Sequence, residues 1–283
     1  MNPILRRWAS GLVALVTLAA HTALHAQVDE AAAERLMRSS GLWEQLGTTA
    51  AGARAGIEAG VAGQRAPIDA EELKRLLAAT DAAFAAETLR GSVRRTLAGS
   101  LKPDDVRALD GWLEGPLGRR ITRLEVDATG PDRDSDRTVR AGVARLAAAG
   151  GERRKLIDQI VVASRAAEAI TNMTISVAVA VQRGMAQVRP DNEPAPPVAA
   201  LREAMAAQRA QFLQAYTGMT TALFAEMYAP LADAEMTEYL GFLRSPAGRQ
   251  FTDASIAAVE RALVEAAERL GTRLPGARPA ANT

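Results

Sequence analysis

Two stretches of this chain repeat one uncommon pattern. Gly111-Trp112-Leu113-Glu114-Gly115-Pro116-Leu117-Gly118-Arg119-Arg120-Ile121-Thr122 returns 130 residues later as Gly241-Phe242-Leu243-Arg244-Ser245-Pro246-Ala247-Gly248-Arg249-Gln250-Phe251-Thr252. A repeat constrains architecture strongly, because both copies must bury the same apolar positions in the same way. Leu42-Trp43-Glu44-Gln45-Leu46 also resembles Leu156-Ile157-Asp158-Gln159-Ile160, at a spacing of 114. The spacing therefore grows by 16 residues between the two matches, and the proline-rich stretch 189–197 is the natural place for that insertion. The expectation is a tandem duplication of one helical unit.

The physical content of the pattern is a corner between two helices. Proline disfavours helical geometry in the residue before it, so one helix ends near Glu114 or Arg244 and the next opens on Pro116 or Pro246. Ser245 is a good N-cap; the first copy has Gly115 there. Gly118 and Gly248 remove a side chain from the inside of the bend and let the two helices approach closely. Trp112 and Phe242 precede the corner at matching positions and should anchor it in the core, with Ile121 and Phe251 meeting them from the next helix. Arg119 and Arg249 are the charged residues shared beside it.

The remaining signals are helical. Apolar residues recur at three and four in Val106, Leu109, Trp112 and Leu113, and again in Met236, Tyr239, Leu240 and Leu243. The spacing predicts helices over 29–39, 42–62, 69–98, 103–114, 116–128, 137–149, 152–188, 198–228, 233–244 and 246–270. Ile170 to Val181 is rich in β-branched residues, yet it lies in a long run without turn residues and is assigned to helix. The fold class is all-α: antiparallel helices, each unit a helical hairpin closed by a helix–corner–helix. The first unit covers 27–130 and the second 137–271, with the linker 189–197 inside it and a disordered tail from 272 to 283.

Residues 1–26 read as a secretory signal. Arg6 and Arg7 form the positive start, Gly11 to Ala20 the short apolar core, and Ala23-Leu24-His25-Ala26 the cleavage site. The apolar run is too short to span a bilayer as a mature helix, and Arg6-Arg7 fits a twin-arginine signal poorly. The expected location is the periplasm. Both histidines, His21 and His25, lie in this segment, and the chain has no cysteine. The mature chain then has neither residue type, and its formal charge moves from +1 to −1. That balance offers nothing to nucleic acid or anionic lipid.

At the second corner the chain resembles a known family. Tyr228, Glu235-Met236, Tyr239 and Phe242-Leu243-Arg244-Ser245-Pro246-Ala247-Gly248-Arg249 look like the signature of domain of unknown function 2059, a family of exported bacterial helical proteins. The resemblance covers roughly 216–258 and implies a helical fold and an envelope location. It carries over no catalytic residue. The first copy departs from the pattern at Trp112 and Gly115.

The residue inventory excludes much chemistry. Without His or Cys there is no Ser-His-Asp triad, thiol nucleophile, haem ligand or ordinary zinc site. Lys74, Lys102 and Lys155 are the three lysines, and none stands in a Ser-x-x-Lys pattern. Glu71-Glu72 and Asp104-Asp105 fall in first turns, where capping explains them. Asp127, Asp132, Asp134 and Asp136 lack the glycine and terminal glutamate of a helix–loop–helix calcium site and read as a solvated loop. Ser245 and Arg249 could hold an anion at a helix start, though a tie within the corner explains Arg249 as well. No catalytic residue, cofactor or metal is expected. The function expected is a non-enzymatic envelope protein that binds a protein, a peptide or a second copy of itself. The alternative is a carrier of a small apolar or lipidic ligand in an inter-helix groove, with Met173, Met185, Met205, Met219 and Met227 as its lining.

Overall fold

The computed structural model describes residues 28–62, 69–130, 134–187 and 198–274. Residues 1–26 with the expected export signal, the proline-rich stretch 189–197, Asp132 and the residues beyond Leu274 lie outside them. Among the described residues there are thirteen helices and no strand. They are α1 (Glu30–Ser39), α2 (Leu42–Ala62), α3 (Ala70–Ala83), α4 (Ala86–Ser100), α5 (Pro103–Leu113), α6 (Pro116–Ala128) and α7 (Ser135–Ala148). The rest are α8 (Gly151–Ser164), α9 (Ala166–Gln187), α10 (Val198–Ala207), α11 (Arg209–Met227), α12 (Asp233–Arg244) and α13 (Pro246–Gly271). The protein is all-α.

Local chemistry sets most helix starts. The carboxylates of Asp29, Asp69 and Asp134 accept backbone N–H groups from the first turns of α1, α3 and α7, satisfying donors that a helix start leaves unpaired. At α5 and α12 an acid in the first turn reaches back instead. The backbone N–H of Lys102 donates to Asp105 at 3.3 Å, and that of Ala232 to Glu235 at 2.8 Å. Pro103, Pro116 and Pro246 each occupy a first helical position.

Three segments expected as single helices are broken in two. The first break is at Phe84-Ala85, where buried Phe84 ends α3 and extended Ala85 precedes α4. The second is at Arg165, whose φ of 55° is left-handed, a conformation uncommon for a side-chain-bearing residue. Its guanidinium pairs with Asp253 of α13 and with Glu168. The third is at Gln208, between α10 and α11. None of the three carries a glycine or proline, so no turn residue marks them in the sequence.

Burial forms two clusters that each draw on both halves of the chain: the first includes residues of α9 and α13, and the second includes Ile121 of α6. Leu36, Met37, Leu89, Val93, Leu97 and Leu109 of the first half pack with Ala258, Ala262, Ala266 and Leu270 of α13. Ile157, Ile160, Phe224, Tyr228, Met236 and Leu240 of the second half pack with Ile121 of α6. The exchange is reciprocal in its hydrogen bonds. Arg120 of α6 donates to the carbonyl of Pro230 at 2.6 Å, while Gln250 of α13 donates to that of Ser100 at 3.1 Å. Both donors and both acceptors stand 130 residues apart.

Candidate functional site

Each corner is built as its residue types dictate. A Cβ on Gly118 would lie 2.2 Å from the carbonyl oxygen of Trp112, and one on Gly248 would lie 2.0 Å from that of Phe242. Only glycine permits that approach, since real Cβ atoms keep well beyond 3 Å from a carbonyl oxygen. The hydroxyl of Ser245 accepts the backbone N–H of Gly248 at 3.0 Å. Gly115 sits in extended geometry without a side-chain cap. Arg249 turns back onto its own corner and donates to the carbonyl of Arg244; it also borders a depression with Arg165, Arg244 and Asp253. Arg119 is exposed.

The two corners meet. Trp112 and Phe242 stack face to face with ring centroids 4.6 Å apart and planes 6° apart, and the ring of Tyr239 lies near-parallel to Trp112, 6.4 Å away at 8°. Both Trp112 and Phe242 are half-buried and touch both apolar clusters.

A cavity of about 270 Å³ opens against the stacked rings. Its walls come from the inner faces of α5, α6, α12 and α13, with contributions from Ser40, Leu42, Gln45 and Ser164. Apolar side chains such as Leu113, Ile121, Leu243, Phe251 and Ile256 supply most of the surface. Many of the wall positions are paired at the 130-residue spacing: Trp112 with Phe242, Leu113 with Leu243, Ile121 with Phe251, Thr122 with Thr252, and Glu125 with Ser255.

Glu125 is where the two halves differ. Its Oε1 accepts the hydroxyl of Tyr228 at 2.7 Å and that of Tyr239 at 2.8 Å. The ring of Tyr228 is edge-on to Phe224 and to Tyr239, 5.2 and 5.7 Å between centroids. Burial raises the carboxyl above the ordinary glutamate value of 4.5, and the two hydroxyls partly offset this. Burial and then the Glu125 charge hold both tyrosines well above their usual range, so their hydroxyls stay protonated as donors. Opposite, the Ser255 hydroxyl is buried without a hydrogen-bond partner. Among the described residues the cavity wall contains no Arg, Lys or His, and Glu125 is its one charged side chain.

Of the residues singled out in the sequence, Trp112, Gly118 and Phe242 line this cavity. Pro116 borders a separate open pocket of about 570 Å³ with Trp112, Arg120, Glu235 and Glu238, and Pro246 and Ser245 shape the second corner. The methionine lining expected for a carrier is not found. Met227 is spent filling the second cluster and Met219 is exposed, and none of the five methionines borders the cavity. Sequence reasoning missed Glu125. Its signal was an acid one turn after buried Ile121, on the inward side of α6, where an exposed helix face would ordinarily carry it. Asp134 serves as a helix cap, and among the described residues no group of three or more potential ligands gathers for a metal.

Scans against protein-family models, curated proteins and solved structures found no match.

Proposed function

We propose that this chain is a non-enzymatic, exported binding protein of the cell envelope that holds a small, mainly apolar ligand between its two corners. The cavity against the Trp112–Phe242 pair carries this reading. It is a half-open cleft lined chiefly by side chains of four helices, mainly apolar in surface, and supplied with one oriented carboxyl, the composition that small-molecule sites favour. Its volume suits a compact molecule better than a long acyl chain. The reading of protein or peptide binding gains less support, because Val143, Val162 and Met219 are the large apolar side chains that stand exposed among the described residues and they belong to three different helices.

Export to the periplasm rests on the signal-like residues 1–26, and the resemblance to domain of unknown function 2059 agrees with it. The absence of His and Cys after residue 26 supports a binding role over catalysis. The reciprocal bonds of Arg120 and Gln250, and the pairing of wall positions, support reading the halves as copies of one unit. In that view the ligand site is a product of the doubling, since neither unit alone encloses it.

Ser255→Leu tests the reading. Leucine replaces an unpartnered hydroxyl and extends into the cavity, so it should fill the space while keeping the fold. Native mass spectrometry of the wild-type protein from periplasmic extract should show a bound small molecule, and the variant should lack it. An identical bound mass in Ser255→Leu, or a wild type that carries no small molecule and binds none of a set of small aromatic and aliphatic alcohols by calorimetry, overturns the proposal.

A further inference from the structure

We infer that the cavity selects a cation: a compact amine with an apolar body, its ammonium group on Glu125. The inference rests on the small-ligand reading above and names the ligand's charge. Three observations carry it. First, Glu125 is the one charged side chain on the cavity wall among the described residues, and no arginine or lysine there neutralises it. Elsewhere in the molecule carboxylates are matched by arginines, as in Arg94 with Glu30 and Glu34, Arg153 with Asp233, and Arg54 with Asp81. Glu125 is half-buried, and a carboxylate partly withdrawn from water gains from a cation beside it.

Second, the carboxyl is oriented. Both tyrosine hydroxyls converge on Oε1, which fixes the plane of the group and leaves Oε2 as the oxygen without a protein donor among the described residues. Two neutral donors hold the group in place without cancelling its charge. An anion-binding site would need donors where this wall has an acceptor.

Third, the neighbouring surface is aromatic. Trp112, Tyr239, Phe242 and Phe251 line the same cavity, and ring faces and edges accept the apolar body of an amine while their negative faces favour its charge. The opposite wall offers Ser255 and Thr252 as neutral hydroxyls, so a single cationic end is matched and a second has no counterpart. The ligand class is therefore a monoamine, not a polyamine or an amino acid, whose carboxylate would have no basic partner.

Calorimetry on the full chain with three isosteres separates the outcomes: benzylamine, benzyl alcohol and benzoate, each titrated into the wild type, Glu125→Gln and Ser255→Leu at pH 7. Glutamine keeps an oxygen to accept both tyrosine hydroxyls, so the fold is preserved while the charge is removed. The wild type should prefer benzylamine to benzyl alcohol and reject benzoate. Glu125→Gln should lose about tenfold or more in benzylamine affinity, the scale of a charged hydrogen bond, with benzyl alcohol unchanged. Benzyl alcohol or benzoate bound as tightly as benzylamine, or benzylamine bound equally by Glu125→Gln, overturns the cation assignment; binding that Ser255→Leu still blocks then leaves the cavity reading standing. No binding of any of the three, with no other small molecule bound, overturns both.

Discussion

Trp112 and Phe242, matching residues of two corners 130 positions apart, lie ring on ring at 4.6 Å with planes 6° apart. The contact joins the halves where each would otherwise expose its corner. Its energy should be shared, and a double-mutant cycle measures the shared part. Trp112→Ala and Phe242→Ala should each cost roughly 2–3 kcal/mol, below the value for a fully buried ring because both are half-buried. The double variant should cost less than the sum by about 0.5–1.5 kcal/mol. Urea unfolding of the four proteins gives the answer; strict additivity would mean that the rings merely share a surface.

The corner glycines make a sharper prediction, because the same substitution should have opposite signs at neighbouring positions. Gly118→Ala and Gly248→Ala place a Cβ 2.2 and 2.0 Å from a carbonyl oxygen of the preceding helix. Relief requires the helices to part, and each variant should lose about 2 kcal/mol or more. Gly111 and Gly241 lie inside α5 and α12 with open space where a Cβ would go. Alanine there should stabilise by about 0.5–1 kcal/mol through helix propensity. Thermal melts of the four single variants decide the matter.

The corners were legible in the sequence for a physical reason: proline, glycine and an N-cap act over a few residues, so their local pattern fixes the local geometry. The same holds for Asp29, Asp69 and Pro103, which start their helices where expected. The breaks at Phe84, Arg165 and Gln208 were not legible, because alanine-rich and polar sequence on either side continues the helical signal. They are imposed by packing, as where Arg165 adopts its left-handed turn and pairs with Asp253 of α13. Nor could spacing alone reveal that α6 and α13 cross to the opposite cluster. The repeat says that the two units match, and says nothing of which copy each helix packs against. Glu125 was hidden for the same reason, since its tyrosine partners come from the other half.

The crossing itself can be tested. Arg120 and Gln250 tie α6 and α13 to the carbonyls of Pro230 and Ser100. Arg120→Ala removes that bond and the pairing with Glu235, and Gln250→Ala removes one neutral bond to an exposed site. The losses should be unequal, about 1–2 kcal/mol for Arg120 and about 0.5–1 kcal/mol for Gln250. Hydrogen exchange should show the Arg120 change loosening amides at the end of α11 and the start of α12 in the second half. Protection lost solely within the first half would contradict the exchanged packing.

Removing the half-buried charge of Glu125 should make the protein more stable and less useful. Burial raises the Glu125 pKa above the ordinary 4.5, so the folded state holds this proton more tightly than the unfolded chain does. Stability attributable to Glu125 is therefore greatest below pH 4.5, declines as pH rises from there through the raised folded value, and is level beyond it. Tyr228 and Tyr239, which face the carboxyl, remain neutral across this window because both are raised well above their usual value. Glu125→Gln keeps the acceptor oxygen and removes the titration. Its melting temperature should exceed that of the wild type at pH 7, and the difference should shrink as pH falls toward 4.5 and stay level below it. Because every other acid titrates in both proteins, the difference between the two pH profiles isolates Glu125. A wild type that is the more stable at pH 7 would mean that some protein cation already neutralises the carboxylate, and the cavity would then have no unmet charge to offer a ligand. The predicted order, with the native acid the less stable choice, is what a residue retained for binding at the expense of the fold should give.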